Sequence, residues 1–293
     1  MTARDAWFES PPFLTAVDDL GALAGAKIAV TGHRGVLGGL LVTRLTAAGL
    51  RPATFDADIT DSAAVDAFVR RAAPELVFHF AAVVPVQTVE ADPARAWAVN
   101  VLGPYHLVAA ALAHAPSAWL FLASSSHVYA PRPRGDRTPI SEDAPLVPAG
   151  FYGASKLAGE RVTLPLLEKL KTAAAVARIF SFTHASQKPP YLVPSLRESI
   201  AALPDGGELA LRSPRAVRDL LDAEAVIDAA LHLARARFSG VVNVGSGVGR
   251  TVEDVAQRVA TKLGKRITVR PVPGTPEDGL VADVSVLRRV IGS

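Results

Sequence analysis

The chain of 293 residues is long enough for one large α/β domain or for a nucleotide-binding domain with a smaller lobe. Hydrophobic residues make up 49% of it and charged residues 20%, which is typical of a globular protein with a substantial core. A formal net charge of +3 without Lys/Arg runs disfavours nucleic-acid binding, and the lack of cysteine excludes disulfides and thiolate chemistry and suits a cytoplasmic protein.

Residues 1–24 precede the first predicted strand. This extension contains four acidic residues and the pair Pro11-Pro12, without the basic start and apolar core of a signal peptide. No apolar run approaches the roughly 20 residues needed to cross a bilayer. We therefore predict an N-terminal extension, of a purpose that the residues do not indicate, on a chain that does not enter a membrane.

Short apolar runs alternate with Ala- and Leu-rich helical stretches after the extension, which indicates a parallel sheet covered on both faces. The predicted strands are Lys27–Thr31, Pro52–Asp56, Leu76–Phe80, Trp119–Ser124, Ala174–Phe180 and Val241–Val244. The predicted fold class is α/β, with a Rossmann-type doubly wound parallel sheet. Residues 25–180 would form the dinucleotide-binding domain, to whose sheet strand 241–244 returns. Residues 181–293 would mainly form a smaller C-terminal substrate-binding lobe over the carboxyl ends of the strands.

A glycine-rich segment joins the first predicted strand to the first helix. Gly32 permits a tight turn, Gly35 lets the backbone approach a pyrophosphate, and Gly38 lets the helix pack closely on the strand. The first helical residues, Val36 and Leu37, lie at the helix N-terminus, which faces the phosphates. The segment therefore predicts a site for NAD or NADP, with the spacing GxxGxxG.

Two residues favour different cofactors, one NAD and the other NADP. Asp56 ends the second predicted strand, where a carboxylate accepts hydrogen bonds from the adenosine ribose and repels a 2′-phosphate, although a strand-end aspartate also commonly begins a turn. Arg34 lies in the glycine loop, where a guanidinium can bind a 2′-phosphate. Asp58 and Ile59 are placed to border the adenine pocket. We expect NAD or NADP, with a preference for NAD.

Tyr152 and Lys156 open the helix before the fifth strand and, four residues apart, share one helix face. A nearby ammonium, together with a positively charged nicotinamide, stabilises tyrosinate and lowers the pKa of the phenol toward neutrality. Such a phenol exchanges a proton with a substrate oxygen while hydride moves to or from the cofactor, and Ser125 adds a hydroxyl at the end of the fourth strand. The alternative is a surface helix with an exposed lysine. Pro165 should kink or end this helix.

The order of these motifs resembles that of the extended short-chain dehydrogenases/reductases, the NAD-dependent epimerase/dehydratase family. The resemblance implies Ser125 as the catalytic hydroxyl, Tyr152 as acid/base and Lys156 as its partner and as a ligand of the nicotinamide ribose. It also implies a nucleotide-sugar substrate and no metal. The motifs that carry it are Gly32/Gly35/Gly38, His79-Phe80-Ala81-Ala82 (Ala81 and Ala82 as cofactor contacts), Asn100–Gly103, Ser124–Tyr129, Tyr152–Lys156, Arg218–Asp222 and Asn243–Gly247.

The resemblance also suggests substrate contacts. Arg218 is a candidate for the substrate diphosphate; an ion pair with Asp219 or Asp222 is equally expected. The other candidates are Ser126, His127 and Ser181. Asn100 is expected to be a structural residue that ties a helix to the active-site strand.

His127 occupies the position at which the sugar 4,6-dehydratases of this family carry a carboxylate, so dehydration is disfavoured. The stretches Ala91–Gly103 and Arg178–Leu196 are most similar to GDP-4-keto-6-deoxymannose reductases, the glycine loop to GDP-fucose synthases, and Asp58–Asp61 to dTDP-4-dehydrorhamnose reductases. All three reduce 4-keto-6-deoxy sugars. Ser181 replaces the substrate-facing Asn of the first group, and His184–Ser186 replaces its Gly-Pro-Gly.

We therefore expect NAD(P)-dependent reduction of the 4-keto group of a nucleotide-linked 6-deoxy sugar. A 4-epimerase with tightly bound NAD is one alternative, and a non-catalytic NAD(P)-binding regulator or scaffold is another. The helices around Val101–Ala113 and Tyr152–Leu164 have apolar faces that, by the resemblance, form a four-helix dimer interface. Burial under the second lobe would also explain them. We predict a homodimer.

Overall fold

The computed structural model describes residues 7–8, 10–84, 86–169, 171–273 and 277–292. The strands are β1 (Ile28–Thr31), β2 (Ala53–Phe55), β3 (Leu76–His79), β4 (Trp119–Ser125), β5 (Ala174–Ile179), β6 (Ser181–Thr183), β7 (Gly207–Arg212), β8 (Val217–Asp222), β9 (Gly240–Val244), β10 (Gly249–Thr251), β11 (Ile267–Val272) and β12 (Gly279–Leu280). The helices are α1 (Val36–Ala47), α2 (Ser62–Ala72), α3 (Val86–Ala91), α4 (Pro93–Trp97), α5 (Gly103–His114), α6 (Gly150–Lys169), α7 (Leu192–Ala202), α8 (Ala223–Arg235), α9 (Val252–Lys262) and α10 (Ser285–Gly292).

Six parallel strands form the central sheet in the order β2-β1-β3-β4-β5-β9. This confirms the predicted α/β fold with a Rossmann-type sheet. The strand order changes direction beside β1, and doubly wound sheets bind ligands at the carboxyl ends of the strands near such a point. The strand β9 pairs with β5 at the edge of the sheet. The division into residues 25–180 and 181–293 stays a prediction.

Alternate residues of each strand pack in two hydrophobic layers, one on each face of the sheet, because successive side chains point to opposite faces. Val30 and Phe78 pack with α1, α8 and α10 on one face, whereas Ala29 and Val77 pack with α2, α5 and α6 on the other. The apolar strands are therefore buried on both faces, as the continuous runs in the sequence predict.

A smaller lobe is built from β6, β8, β10 and β12 and from the parallel pair β7–β11, with α7 and α9 packed around a third hydrophobic cluster. The N-terminal extension contacts this lobe and the central sheet alike. Phe8 is buried in the third cluster, while Leu14, Val17, Leu20 and Leu23 are buried in the layer that contains α1 and α8. The described part of the extension is thus integral to the packing of the protein.

Pro165 does not end its helix, because α6 continues to Lys169. Its neighbours Leu164, Leu166 and Leu167 pack on the second hydrophobic layer. This tertiary packing holds the helix together across the missing N–H donor of the proline.

The helical stretch Pro93–His114 has the length and composition of a membrane-spanning helix, contrary to the prediction that no such run exists. More than half of its most apolar window, 56%, is buried inside the protein. Leu107, Val108 and Ala111 pack on the central sheet, as expected of the core helix of a globular fold.

Candidate active site

The glycine loop forms a close turn between β1 and α1. Gly32 adopts a positive φ of +73°, and a Cβ added there would lie 2.5 Å from the backbone nitrogen of Ala81. A Cβ at Gly38 would overlap the carbonyl oxygen of Gly32. Gly35 precedes α1 as its N-cap. The loop thus leaves the helix N-terminus, with Val36 as its first residue, clear of side chains, and this cradle fits the pyrophosphate of a dinucleotide.

The two residues with opposite cofactor preferences contact each other. Arg34 Nη2 lies 2.8 Å from Asp56 Oδ1, and His33 Nε2 lies 3.3 Å from the same oxygen. Asp56 and Arg34 are both mostly exposed, so solvent screens the pair. A 2′-hydroxyl or a 2′-phosphate of a cofactor ribose that binds here competes with the ion pair between Arg34 and Asp56.

The neighbouring adenine-side residues are held in place by local contacts. Asp58 accepts hydrogen bonds from the backbone N–H and the hydroxyl of Thr60 and pairs with Arg95 at 2.9 Å. The backbone N–H of Thr60, together with the Thr60 hydroxyl and Arg95, holds the pKa of Asp58 below its usual range. Ile59 is buried and packs against Gly103 at the start of α5. The carboxylate of Asp58 is therefore ionised and fixed.

The structure places Ser125 and Tyr152 together. Ser125 ends β4, and a short 3-10 turn, Ser126–Val128, follows it at once. A Cβ at Gly153 would overlap the carbonyl oxygen of His127, so the first turn of α6 approaches this turn more closely than any side chain permits. Ser125 therefore lies close enough to Tyr152 for its hydroxyl to lower the pKa of the phenol.

Burial raises the pKa of the Tyr152 phenol to about 12, while the hydroxyl of Ser125 opposes the rise. The lowering toward neutrality that Lys156 and a positively charged nicotinamide together would cause stays a prediction. Lys156 Nζ donates a hydrogen bond to the carbonyl oxygen of Ala123 at 2.6 Å, and the desolvation of the phenolate outweighs any charge effect. Tyr152 holds its proton at neutral pH.

Lys156 is 8% exposed, and burial lowers its pKa to about 8, although the carboxylate of Glu160 opposes the shift. Behind it lies a cavity of about 20 Å³, enough for one water molecule. Its polar lining consists of Lys156, His79, Asn100, Ser124, Glu160 and Thr163. The lysine therefore borders a small chamber with a mixed polar and apolar lining on the inner side of the site.

A buried ion pair supports the wall of this chamber. Glu160 Oε2 lies 2.8 Å from Arg178 Nη2, and both side chains are almost fully buried. Ser124 donates a 2.5 Å hydrogen bond to Glu160, and Arg178 donates to the hydroxyl of Tyr129. The sequence prediction missed Glu160, although its position four residues after Lys156 places it on the same face of α6.

Asn100 links two elements of the site. Its Oδ1 accepts a hydrogen bond from the backbone N–H of Val83 at 2.8 Å, and its Nδ2 donates to the hydroxyl of Ser155 at 3.0 Å. It therefore ties the segment after β3 to α6, which agrees with the structural role expected of it.

Arg218 pairs with Asp278, with Nη2 and Oδ1 2.9 Å apart, so the expected ion pair with Asp219 or Asp222 is wrong. Asp219 is occupied by the backbone N–H groups of Ser246, Gly247 and Ala282, and Asp222 accepts the N–H groups of Trp7 and Phe8. A partner 60 residues away in sequence carries no local signal.

Charged and phenolic groups surround His127. Arg218 and Asp278 lie close enough to shift the pKa of His127 in opposite directions, and burial is the larger cause that lowers it. Tyr191, at the N-cap of α7, lies close enough to Tyr152 to raise the pKa of its phenol. The structure therefore joins Arg218 and His127 to the Ser125–Tyr152 pair. It adds Asp278 and Tyr191, which the sequence prediction missed.

No hydrogen bond of the described residues links Ser126 or Ser181, the two further candidates for substrate contact, to Tyr152. Ser126 is 2% exposed, so its side chain is enclosed. Ser181 begins β6, is partly exposed and pairs with Leu220 of β8. Among the contacts recorded for the described residues, none joins Ser181 to Tyr152. Both assignments stay predictions.

Residues 28–245 match the NAD dependent epimerase/dehydratase family. A dTDP-4-dehydrorhamnose reductase of Streptomyces griseus is 38% identical over 141 residues, which are 47% of this chain and 45% of the relative, so the chain covers less than half of that relative. The structure of UDP-glucose 4-epimerase from Thermus thermophilus in complex with NAD has a TM-score of 0.76 and 27% identity, over 89% of this chain and 92% of that one. RMD from Pseudomonas aeruginosa complexed with NADPH has a TM-score of 0.78 and 25% identity, over 90% and 92%.

Proposed function

Because the chain belongs to the NAD dependent epimerase/dehydratase family, we propose that it reduces the 4-keto group of a nucleotide-linked 6-deoxy sugar. The family and its structural relatives make the chain an NAD(P)-dependent enzyme of the sugar-nucleotide reductase and 4-epimerase group. The choice of reduction rests on one observation. Ser125 and Tyr152 lie together at the end of β4, and burial raises the pKa of Tyr152, so the phenol carries the proton that a substrate oxygen would receive.

Each residue of the site has its own role in the reduction. The glycine loop and the N-terminus of α1 would hold the dinucleotide phosphates, and the bound nicotinamide supplies the hydride that reduces the carbonyl carbon. Ser125 donates a hydrogen bond that orients the carbonyl oxygen, and Tyr152 gives that oxygen its proton. The ammonium of Lys156 stabilises the negative charge that this transfer leaves on Tyr152.

Arg218 is our candidate for the diphosphate of the substrate. Its guanidinium is partly exposed beside His127, and Asp278 already neutralises it. A diphosphate would replace the single carboxylate as its partner, with bidentate hydrogen bonds. We propose Ser126, His127 and Ser181 as further contacts, on the ground of the sequence resemblance.

A second candidate function is 4-epimerisation, which the likeness to UDP-glucose 4-epimerase supports. Such a cycle begins with oxidation, for which Tyr152 must accept a proton, and its high pKa in the structure fits that step less well. NAD that stays bound through purification and gel filtration would favour the epimerase.

The decisive experiment offers the enzyme a panel of GDP- and dTDP-linked 4-keto-6-deoxy sugars with NADH or NADPH and follows the loss of reduced-nicotinamide absorbance. We expect turnover with at least one sugar. No turnover with any sugar, together with interconversion of a 4-hydroxy epimer pair, would replace reduction by epimerisation. No turnover in either assay would leave only the fold and the family.

We also propose a homodimer in the cytoplasm. Large apolar side chains are exposed along the π-helical turn Ala98–Leu102 and along α5 and α6, which supports an interface between two copies. They are Leu102, Tyr105, Phe151 and Val162.

A further inference from the structure

An imidazole lies against both hydroxyl groups of the site. His127 Nδ1 is 3.2 Å from Ser125 Oγ, and the backbone N–H of His127 donates to the same oxygen. The His127 ring meets the ring of Tyr152 edge to face, with centroids 5.4 Å apart. Because the 3-10 turn begins directly after β4, residue 127 folds back beside residue 125. The polar groups of Tyr152, Ser125 and His127 thus follow one another as a chain, with Ser125 in the middle.

The outer end of this chain leads toward solvent. The charged groups that face His127 are Arg218 and Asp278, whose side chains are 29% and 38% exposed. Burial and the guanidinium of Arg218 both lower the pKa of His127, so the ring is neutral at neutral pH and has one N–H and one free nitrogen. A neutral imidazole accepts a proton on one nitrogen while it releases one from the other.

The inner side of the site is occupied by Lys156. Its Nζ donates to the carbonyl oxygen of Ala123 at 2.6 Å and borders a cavity of about 20 Å³, which Glu160 and Asn100 also line. Among the groups that act on the pKa of Tyr152, Ser125 is the one that also contacts His127. The contacts of Ser125 therefore lead from Tyr152 to His127.

We propose that Ser125 and His127 form a proton relay that reprotonates Tyr152 from solvent; this rests on the proposed function. The O–H bond of Tyr152 breaks as the substrate O–H bond forms. Ser125 then passes its hydroxyl proton to the Tyr152 oxygen, and Nδ1–H of His127 restores the proton of Ser125. A solvent proton binds Nε2, so His127 ends as the other neutral tautomer, and proton exchange with solvent returns it to the Nδ1–H tautomer before the next turnover. The only proton consumed is the one now on the product.

The test uses the full-length enzyme, a keto sugar that the wild type reduces, and three variants. His127→Ala opens a space for added imidazole, His127→Asn keeps a side-chain N–H that cannot relay a proton, and His232→Ala removes a histidine on α8, away from the site. We expect His127→Ala and His127→Asn to lower kcat at least about tenfold at saturating substrate, apart from any change in KM from the lost substrate contact. Imidazole should restore His127→Ala only. His232→Ala should match the wild type.

The solvent deuterium isotope effect on kcat gives a second readout, and we expect it to increase in both His127 variants. An unchanged kcat in them overturns the relay. So does a loss of kcat that imidazole does not restore while the isotope effect stays constant, because His127 would then only support the ring of Tyr152.

A third measurement needs no turnover. Nitrogen-15 NMR of the imidazoles, assigned with His127→Asn, should show a changed tautomer or pKa of His127 in Ser125→Ala. If the wild type reduces no sugar, the proposed function fails on its own. An unperturbed His127 in Ser125→Ala would then overturn the relay as well.

Discussion

At the scale of single residues, Tyr152 is the group whose removal should matter most. Tyr152→Phe deletes the proton donor and keeps the ring against His127, so we expect kcat to fall by about 10²–10⁴ with the unfolding temperature little changed. Tyr105→Phe, a matched change at an exposed tyrosine on α5, should leave the rate unaltered. Steady-state kinetics with the keto sugar check both variants. A Tyr152→Phe enzyme as fast as the wild type contradicts the mechanism.

Lys156 should make the rate of reduction fall at high pH. Burial lowers its pKa from 10.5 to about 8, so the ammonium is present below pH 8 and is lost above it. We expect kcat/KM for reduction to be level below about pH 8 and to decline above it. In Lys156→Arg, whose guanidinium stays charged to about pH 12, the decline should disappear. A wild-type profile that is level to pH 10 would contradict this assignment.

Lys156 should also make the free energy of unfolding depend on pH. Between pH 8 and 10.5 the unfolded chain binds more protons at this lysine than the folded protein does. The penalty for burying the charged amine is therefore complete below pH 8 and is relieved as the pH rises toward 10.5.

The pair Arg34–Asp56 should control the choice of cofactor. Asp56→Ala frees the guanidinium for a 2′-phosphate and removes the repelling carboxylate, so we expect the ratio of NADPH to NADH affinity to rise about tenfold or more. Arg34→Ala should lower that ratio. Fluorescence titration with each cofactor measures both changes. Equal ratios in the two variants would remove these residues from cofactor selection.

At the scale of elements, the turn between β1 and α1 is the most constrained feature. Gly32→Ala places a Cβ 2.5 Å from the nitrogen of Ala81, so we expect cofactor affinity to fall by about tenfold or more. Gly49→Ala is the matched control: its φ is also positive, at +80°, but no atom lies within 4 Å of the new Cβ. Both variants bear the backbone strain, and only the first has the clash. Equal binding by the two would show that the clash at Gly32 does not affect the cofactor site.

The sequence predicts the elements well because their signals are local. Each of the six central strands lies within a residue or two of its predicted bounds, since an apolar run of β-branched residues marks a buried strand wherever it occurs. Ser125 and Tyr152 were expected together because both belong to motifs at the carboxyl edge of one sheet.

Contacts between distant segments carry no such signal. The partner of Arg218 is Asp278, in a segment without a motif, and Tyr191, which helps to raise the pKa of Tyr152, lies 39 residues further along the chain at the N-cap of α7. Pro165 shows the converse, since a local rule predicts a break or kink and packing in the second layer carries α6 onward.

At the scale of the whole molecule, the N-terminal extension connects the lobe to the central sheet. Phe8 is 1% exposed in the lobe, with Arg250 and Arg258 against its ring, and Val17 is held by Asp228 of α8. We expect Phe8→Ala to lower the free energy of unfolding by about 3–5 kcal/mol. Chemical denaturation measures it, with Val147→Ala, at an exposed position, as the control. A loss below about 1 kcal/mol would mean that the extension rests on the surface without adding to the core.

The buried pair of Glu160 and Arg178 also limits how this protein can change over generations. Loss of either partner leaves a lone charge in the interior, at a cost of about 3–5 kcal/mol, which is a large share of the roughly 5–15 kcal/mol that usually separates folded from unfolded protein. Joint replacement by apolar residues is often nearly neutral. A single substitution at either position therefore costs much of the stability of the protein, whereas substitutions in exposed loops cost little. We expect the exposed loops to change more freely than the wall behind Lys156.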